Sequence, residues 1–511
     1  MIKSTRNTGS SYVVPLGLLC YLVFFHACVA QILPLQSQSQ SSSRSKCQID
    51  RITAREPNRQ VTSEAGVSEF WDSFENDELE CAGVEVVRHT IYSKGLLLPY
   101  YSNAPELVYV VQGQGIQGTV LPGCPETFST MVETKGDEQF FDTHQRVYRY
   151  NEGDILALPA GAVHWTYNDG NSPLVAIVLR DTNNVANQLD NNFRKFFLAG
   201  NPSRQPPQSG PRFQPGQPGF QPGQQPAFQP GKQSRQQPGF QPGQSQGQRG
   251  FQPGQWPGQL EGFNVFSGFD FQMLMEVFGV EYNTVEKLTG QNDNRGSIVM
   301  AENFEIAIPE DQYQDNGIEQ TICSTKFSAN IASPARADVY NPRGGRISSL
   351  NSHKLPILNL LKLSAERGVL YKNAVLAPHY NLNAHSIIYV ISGGSRLQIV
   401  GNDGSLVFDD MVQKGQLIVV PQAFAVIKKA GEEGCEWVAF KTNDDAITTQ
   451  LAGRFSYVRE VPIEVLSNSY DISREQAKKL KYNRQEGVVL SPRSGTSMEK
   501  AKNVLLNTLF G

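Results

Sequence analysis

Charge is scarce in this chain of 511 residues: Asp, Glu, Lys and Arg make up 18%, and 45 basic against 49 acidic side chains leave a net −4. That balance offers no footprint for nucleic acid, whose phosphates call for a basic surface. Sulfur and imidazole are thin as well, with seven each of Cys, Met and His. The sequence holds no nucleophile elbow, phosphate loop, Cys-x-x-Cys pair or zincin motif. It also has no Asn-x-Ser/Thr sequon free of proline, so N-glycosylation is not expected. No stretch of about 18 uninterrupted apolar residues occurs after the N-terminal segment, as a spanning helix would require. The mature chain is therefore expected to be soluble, with no membrane partner.

The N-terminal segment reads as an export signal. Lys3 and Arg6 precede "VVPLGLLCYLVFFHACVA", and Cys28 and Ala30 supply small residues for a cut between Ala30 and Gln31. Export removes Cys20 and Cys28 and leaves Cys47, Cys81, Cys124, Cys323 and Cys435 in an oxidising pathway. Five is odd, so at least one thiol is free or pairs between chains.

A length of 511 residues exceeds what one hydrophobic core serves. Residues 1–30 form the signal and 31–46 a Gln/Ser tract too poor in apolar residues to fold. A folded region spans 47–200. Residues 201–260 are a Pro-, Gly- and Gln-rich insertion with Phe-Gln-Pro-Gly starting at Phe213, Phe220, Phe228, Phe240 and Phe251. The unequal spacing argues against a stacked solenoid, and the composition predicts disorder. A helical extension at 261–300, a polar loop at 301–316, a second folded region at 317–460, its helical extension at 461–490 and a tail at 491–511 complete the chain.

The two folded regions look duplicated. "LVYVVQGQG" (107–115) parallels "IIYVISGGS" (387–395), and "NEGDILALPAG" (151–161) parallels "QKGQLIVVPQA" (413–423). Short runs of Val, Ile, Leu and Tyr bounded by Gly, Pro and Asn are the pattern of a sandwich or barrel. Phe271, Leu274, Phe278, Val280, Val285 and Leu288 match Ile463, Leu466, Tyr470, Ile472, Ala477 and Leu480 at a constant offset of 192. Phe271, Leu274, Met275 and Phe278 share one helical face. That face packs either on its own barrel or on another subunit.

Gly153, Pro159, Gly161, His164 and Asn168 fit G-x5-P-x-G-x2-H-x3-N, and so resemble the second motif of the cupins. The resemblance implies an all-β-dominated bicupin: two jelly-roll barrels (double-stranded β-helices), each followed by a small helical subdomain. Catalytic cupins hold a divalent metal on His-x-His, a Glu and a further His. Aligned on the shared Tyr and Gly, the first copy has Pro99, Tyr101, Glu106 and His164 at those places, and the second His379, Asn381, Ser386 and Val426. Ala423 replaces the motif glycine. Glu106, His164 and His379 thus form a degenerate site with too few ligands for a metal. His164 reads as a packed or hydrogen-bonded residue, and no catalytic residue, metal or cofactor is assigned.

"QDNGIEQTIC" (314–323) places an Asn-Gly step seven residues before a cysteine. Asn-Gly is also a common hairpin turn, but the charge distribution favours a division there. Residues 317–511 carry 23 Lys+Arg and 17 Asp+Glu, a net +6; subtraction from 45 and 49 leaves 22 and 32 before the step, a net −10. A cut after Asn316 yields one acidic and one basic piece, each with a barrel.

With "CQIDRITAREPNR", "CAGVEVVRHTI", "LPGCPETF", "GDILALPAGAVHWTYN", "NGIEQTIC", "DVYNPRGGRIS", "PHYNLNAHSIIYV" and "FKTND", the chain resembles the 11S globulins, or legumins, over essentially its mature length. The resemblance implies a seed storage protein of the protein storage vacuole. Its precursor is cut between Asn316 and Gly317 by an asparaginyl endopeptidase, assembles as a trimer and then a hexamer, and is degraded at germination. It further implies a Cys47–Cys81 disulfide within the acidic chain and a Cys124–Cys323 disulfide joining acidic to basic, with Cys435 left over. Gln320 replaces the second acid that the family has after its Asn-Gly. Two other readings predict different chemistry: a secreted metal-dependent cupin enzyme of the oxalate-oxidase type, and a bicupin that binds a small ligand.

Overall fold

The computed structural model describes residues 47, 49–126, 128–133, 139–145, 147–190, 192–202, 263–306 and 323–492. The signal cut at Ala30–Gln31, the Phe-Gln-Pro-Gly repeats, the Asn316–Gly317 step and the C-terminal tail lie outside the described residues.

Two jelly-roll barrels account for most of the described chain, as the duplication predicts. In the first, strands Val84–Ile91, Leu174–Asp181, Glu106–Gln112 and Asp154–Leu158 form one sheet, extended at one edge by Gly66–Trp71 and Arg59–Ser63. Gly95–Ser102, Val163–Tyr167, Gln114–Val120 and Val147–Asn151 form the facing sheet. Alternation fixes which side chains meet between them: in Val84–Ile91, Val87 and Ile91 join Leu97 and Tyr100 of the facing sheet, while Val84 and Val86, on the other face, join the cluster shared with the second barrel. The second barrel uses longer strands, Ser386–Val400 and Ala425–Lys441, where the first has separate pieces. The matched glycines mark the break: Gly113 ends one strand at φ 88°, and Gly393 turns within the long strand at φ 65°. A Cβ on Gly393 would lie 2.2 Å from the Gly434 carbonyl oxygen, so no other residue fits that corner.

The offset of 192 residues survives in the helices. Phe271–Phe278 and Tyr282–Leu288 follow the first barrel; Ile463–Tyr470 and Arg474–Tyr482 follow the second. Asp270 caps the first helix by accepting from the Gln272 and Met273 amides, and Ser473 with Gln476 forms a capping box on the last. Leu274 and Val285 are buried beneath their helices, while Met273 and Val277 are 64% and 76% exposed.

The barrels are joined through a common core. Leu107, Tyr109, Ile177 and Leu179 of the first barrel cluster with Leu361, Ile387, Tyr389 and Phe440 of the second. A pseudo-twofold relation runs through this contact: Arg88 donates to the Tyr389 hydroxyl at 3.2 Å, and Arg367 lies against the Tyr109 phenol.

Two segments cross the boundaries expected from the sequence. Ile298–Met300, within the helical extension, returns to pair with Gly95–Ser102. Ser328–Asn330, beyond the Asn-Gly step, adds a strand to the first barrel on Asp154–Leu156, with Phe327 and Ile331 buried beside it. Reciprocally, Arg55 pairs with Leu417 and the Ile52 amide donates to the Val407 carbonyl, which seats Ile52 in the second barrel's core.

The ends of the Phe-Gln-Pro-Gly insertion converge on a buried knot. The Asn264 side-chain amide donates to the carbonyls of Gly200 and Leu288 at 2.8 and 3.1 Å. Gly290, at φ 64°, approaches so closely that a Cβ would stand 2.3 Å from the Gly200 oxygen. Gly290→Ala is expected to cost about 1–3 kcal/mol, from strain at positive φ plus the clash. Urea denaturation measures it, and an unchanged midpoint would show that the backbone there yields freely.

Candidate functional site

The degenerate cupin centre is built where the two sheets of each barrel face one another. Strand pairing sets His164 opposite Tyr100 and, in the second barrel, Val426 opposite His379. The structural counterparts of His379 and Asn381 are therefore Tyr100 and Ser102, one residue on from the Pro99 and Tyr101 that the sequence alignment selects. The loop that follows is the reason. Tyr100 to Glu106 is six residues, whereas His379 to Ser386 is seven, and a slip of one residue in a strand moves every side chain to the other face.

Glu106 and His164 do come together in the first barrel, both fully buried. His164 Nε2 stands 3.8 Å from a Glu106 oxygen, and its Nδ1 donates to the Ala162 carbonyl at 3.2 Å. The Tyr100 hydroxyl donates to the other Glu106 oxygen at 3.2 Å, and its ring crosses the His164 imidazole edge-on, with centroids 4.2 Å apart. Directly across the strand pair lies Arg180, whose Nε is 3.5 Å from Glu106. Burial would push the Glu106 carboxyl up, but Arg180, then His164 and Lys195, hold it below the ordinary glutamate value. Burial lowers His164 in turn, which favours the neutral imidazole, although Glu106 pulls the other way.

His379 lies in the other barrel, so the three expected site residues divide into a pair and a single. Lys441 occupies the position of Arg180, opposite Ser386. Its ammonium donates to Asn381 Oδ1 at 3.1 Å and Thr448 Oγ1 at 3.2 Å, and pairs with Glu366 at 3.1 Å. Burial raises the Glu366 carboxyl, but Lys441 and Lys428 outweigh it and bring the pKa to about 2. Arg180 and Lys441 escaped the motif comparison because neither belongs to a cupin ligand motif. The available signal was the cation ending an apolar strand in both "VAIVLRDTNN" and "EWVAFKTND".

A divalent metal does not fit either centre. Each barrel offers one carboxylate and one imidazole, with a permanent guanidinium against the carboxylate in the first and a buried ammonium paired with it in the second. A cation fixed there adds repulsion to an already incomplete ligand set.

The cysteines fall into the pairs implied by the family resemblance. Cys47 is bonded to Cys81 and Cys124 to Cys323, with Cα separations of 5.3 and 5.5 Å. Cys435 is a buried free thiol, 3.5 Å from Ser395 Oγ.

A cupin family profile matches residues 52–204 and 329–478. The chain is 44% identical to 11S globulin seed storage protein 1 of Carya illinoinensis, across 95% of this chain and 97% of that one. It is 44% identical to the 11S globulin seed storage protein Ana o 2.0101 of Anacardium occidentale, across 94% and 99%. The crystal structure of pumpkin seed globulin matches with a TM-score of 0.72 at 44% identity, covering 88% of this chain and 100% of that one.

Two predictions come from the centre itself. Ala423 keeps the left-handed φ of 68° that its counterpart Gly161 adopts at 76°. Ala423→Gly is therefore expected to stabilise by about 0.5–1 kcal/mol, relief of the Cβ penalty exceeding the entropy glycine adds to the unfolded chain; a lowered denaturation midpoint would contradict this. The second prediction concerns pH. Burial lowers His89, His164, His379 and His385, with His379 at about 4. On acidification the unfolded imidazoles take up protons near their ordinary value while the folded ones do not, so stability falls between about pH 6.5 and 4. Asp181, raised by burial to about 6, and Glu85 and Asp154, also raised by burial, act in the opposite direction over the lower part of this range, three carboxyls against four imidazoles. Denaturation midpoints from pH 7 to 4 should decline for the parent and decline less for His379→Asn, and equal slopes would remove His379 from the account.

Proposed function

Because the chain belongs to the 11S globulins, seed storage proteins of the cupin superfamily, we propose that it is a nitrogen and amino-acid reserve. It is made as a precursor, divided at Asn316–Gly317 by an asparaginyl endopeptidase, and consumed at germination. The observation that carries this reading is the placement of cross-links around the step. Cys323 and the strand Ser328–Asn330 tie the start of the basic part to the first barrel, while Ile52 and Arg55 tie the start of the acidic part to the second. A cut between these anchors releases neither piece.

The relatives are storage globulins, which are not enzymes, and the centres filled by Arg180 and Lys441 agree with a role in which composition and packing matter rather than turnover. Self-assembly, trimer then hexamer, is supported by the apolar side chains that the helical extensions present outward: Met273, Val277 and Phe278 after the first barrel, Val465 and Leu480 after the second. Faces of this kind mark contact surfaces. Export through the signal and delivery to the protein storage vacuole complete the reading, with the apolar tail 505–511 as its sorting element.

The test uses protein purified from seed. Under denaturing conditions, reduction should split one species into two, the smaller beginning Gly317-Ile318-Glu319. Reduction without denaturant should leave both pieces co-eluting on gel filtration, held by the exchanged segments. A single intact chain after reduction would refute the processing step, and separation on native reduction would show that the disulfide alone joins the pieces.

A further inference from the structure

A cavity of about 350 Å³ opens inside the second barrel at its degenerate centre. Its apolar wall includes Ile347, Leu350, Leu376, Phe455 and Val488, and its polar end is formed by Glu366, His379, Lys441 and Gln450. That combination of an apolar chamber and convergent polar groups is the usual form of a small-molecule site.

The hydrogen-bond inventory decides what such a molecule must offer. Lys441 directs its three protons at Glu366, Asn381 and Thr448, and so retains none for a ligand. Glu366 accepts from Lys441 alone among the described residues, which leaves its second oxygen open. His379 donates through Nδ1 to the Ala377 carbonyl at 2.8 Å, so its Nε2 presents a lone pair. The Gln450 amide oxygen is buried without a partner. The open valences are thus these three acceptors together with the Gln450 amide NH2, which donates to none of the described residues, and buried acceptors are costly unless a donor meets them.

Charge narrows the class further. Glu366 is balanced by Lys441, and the buried Lys428 ammonium lies on the strand alongside. Asp338, which also lines the cavity, is paired with Lys354, so the chamber carries no excess negative charge to draw a cation, and the neutral Gln450 amide supplies no charge to hold an anion.

We propose that the second barrel binds a neutral, single-ring phenol or aromatic alcohol. Its hydroxyl donates its single proton to the open Glu366 oxygen and accepts from the Gln450 amide, and its ring packs against Phe455 and the aliphatic wall. The site uses what remains of the cupin centre once a lysine has taken the metal's place. It is independent of cleavage and of the storage role.

Equilibrium dialysis of the full-length protein against 4-methylphenol tests this. 4-Methylphenol should bind saturably, with a single molecule per chain. Its methyl ether, 4-methylanisole, should bind about tenfold more weakly for want of the donated hydrogen bond. 4-Methylbenzoate and 4-methylbenzylammonium should bind more weakly still. Ala446→Trp, which adds bulk to the cavity lining, should abolish binding, and Gln450→Leu, which removes the amide while keeping its bulk, should weaken it severalfold. Gel filtration of each variant checks that it remains folded, and Gln450→Leu serves alone if Ala446→Trp does not fold. The proposal is overturned if wild-type protein shows no saturable uptake of 4-methylphenol, if the ether or either charged analogue binds as tightly, or if uptake persists unchanged in the folded variants.

Discussion

A barrel opened at one strand exposes a row of amide and carbonyl groups that must find partners, and in this chain each barrel finds them in the other half of the sequence. Ala329 lies opposite Ile155 in the first barrel, and Arg55 opposite Leu417 in the second. These are equivalent places in the duplicated fold, since Leu156 and Ile418 pair in turn with Val108 and Ile388. The exchange carries Phe327 and Ile331 into one core and Ile52 into the other, all at most 3% exposed. Burial of each such side chain is worth about 1.5–3 kcal/mol, so the exchanged segments rival the disulfide as a join. The disulfide adds to the same geometry: Cys124–Cys323 spans 199 residues of sequence and anchors the chain five residues before the exchanged strand begins.

The same duplication explains why both centres fail as metal sites in the same manner. Glu106 and Ser386 are equivalent, as are Arg180 and Lys441, so a basic side chain entered both barrels at one structural position. The surroundings then differ. In the first barrel Tyr100, His164, Glu106 and Arg180 occupy the interior together, with the guanidinium also lying 4.1 Å from the Phe193 ring. In the second, the residue opposite His379 is Val426 and the carboxylate comes from a neighbouring strand as Glu366. Replacing an arginine and a tyrosine by a lysine and a histidine leaves space, and the cavity lies there.

Much of this was legible in the sequence because duplication supplies an internal alignment. Matching Tyr109 with Tyr389 and Gly113 with Gly393 set the two copies in one frame, and the constant offset in the helices held to the residue. What escaped reading did so for local reasons. One residue fewer in the loop before Glu106 shifted the expected ligand positions from Tyr100 and Ser102 to Pro99 and Tyr101. The exchanged strand Ser-Ala-Asn is three residues long with no alternation to detect, and the reciprocal contact at Arg55 is a single pair. Pairing of that kind depends on tertiary proximity, which no periodicity encodes.

A reserve protein needs sequence that can vary in length and amide content without unsettling the fold, and the knot at Asn264 shows how the barrels permit it. Gly200 and Asn264 flank the Gln-rich insertion and are held together by a buried side-chain amide. Among the described residues, the two sides of the insertion are thereby held at one place in the fold. The entropy of closing a loop grows with the logarithm of its length, so doubling it costs only about 0.6 kcal/mol. If the insertion is disordered, as its composition predicts, changes in its length cost little so long as Gly200 and Asn264 stay joined. The rigid requirement falls on Gly290 and Asn264, two residues at the base, and the nitrogen-rich sequence between those ends is left to composition alone.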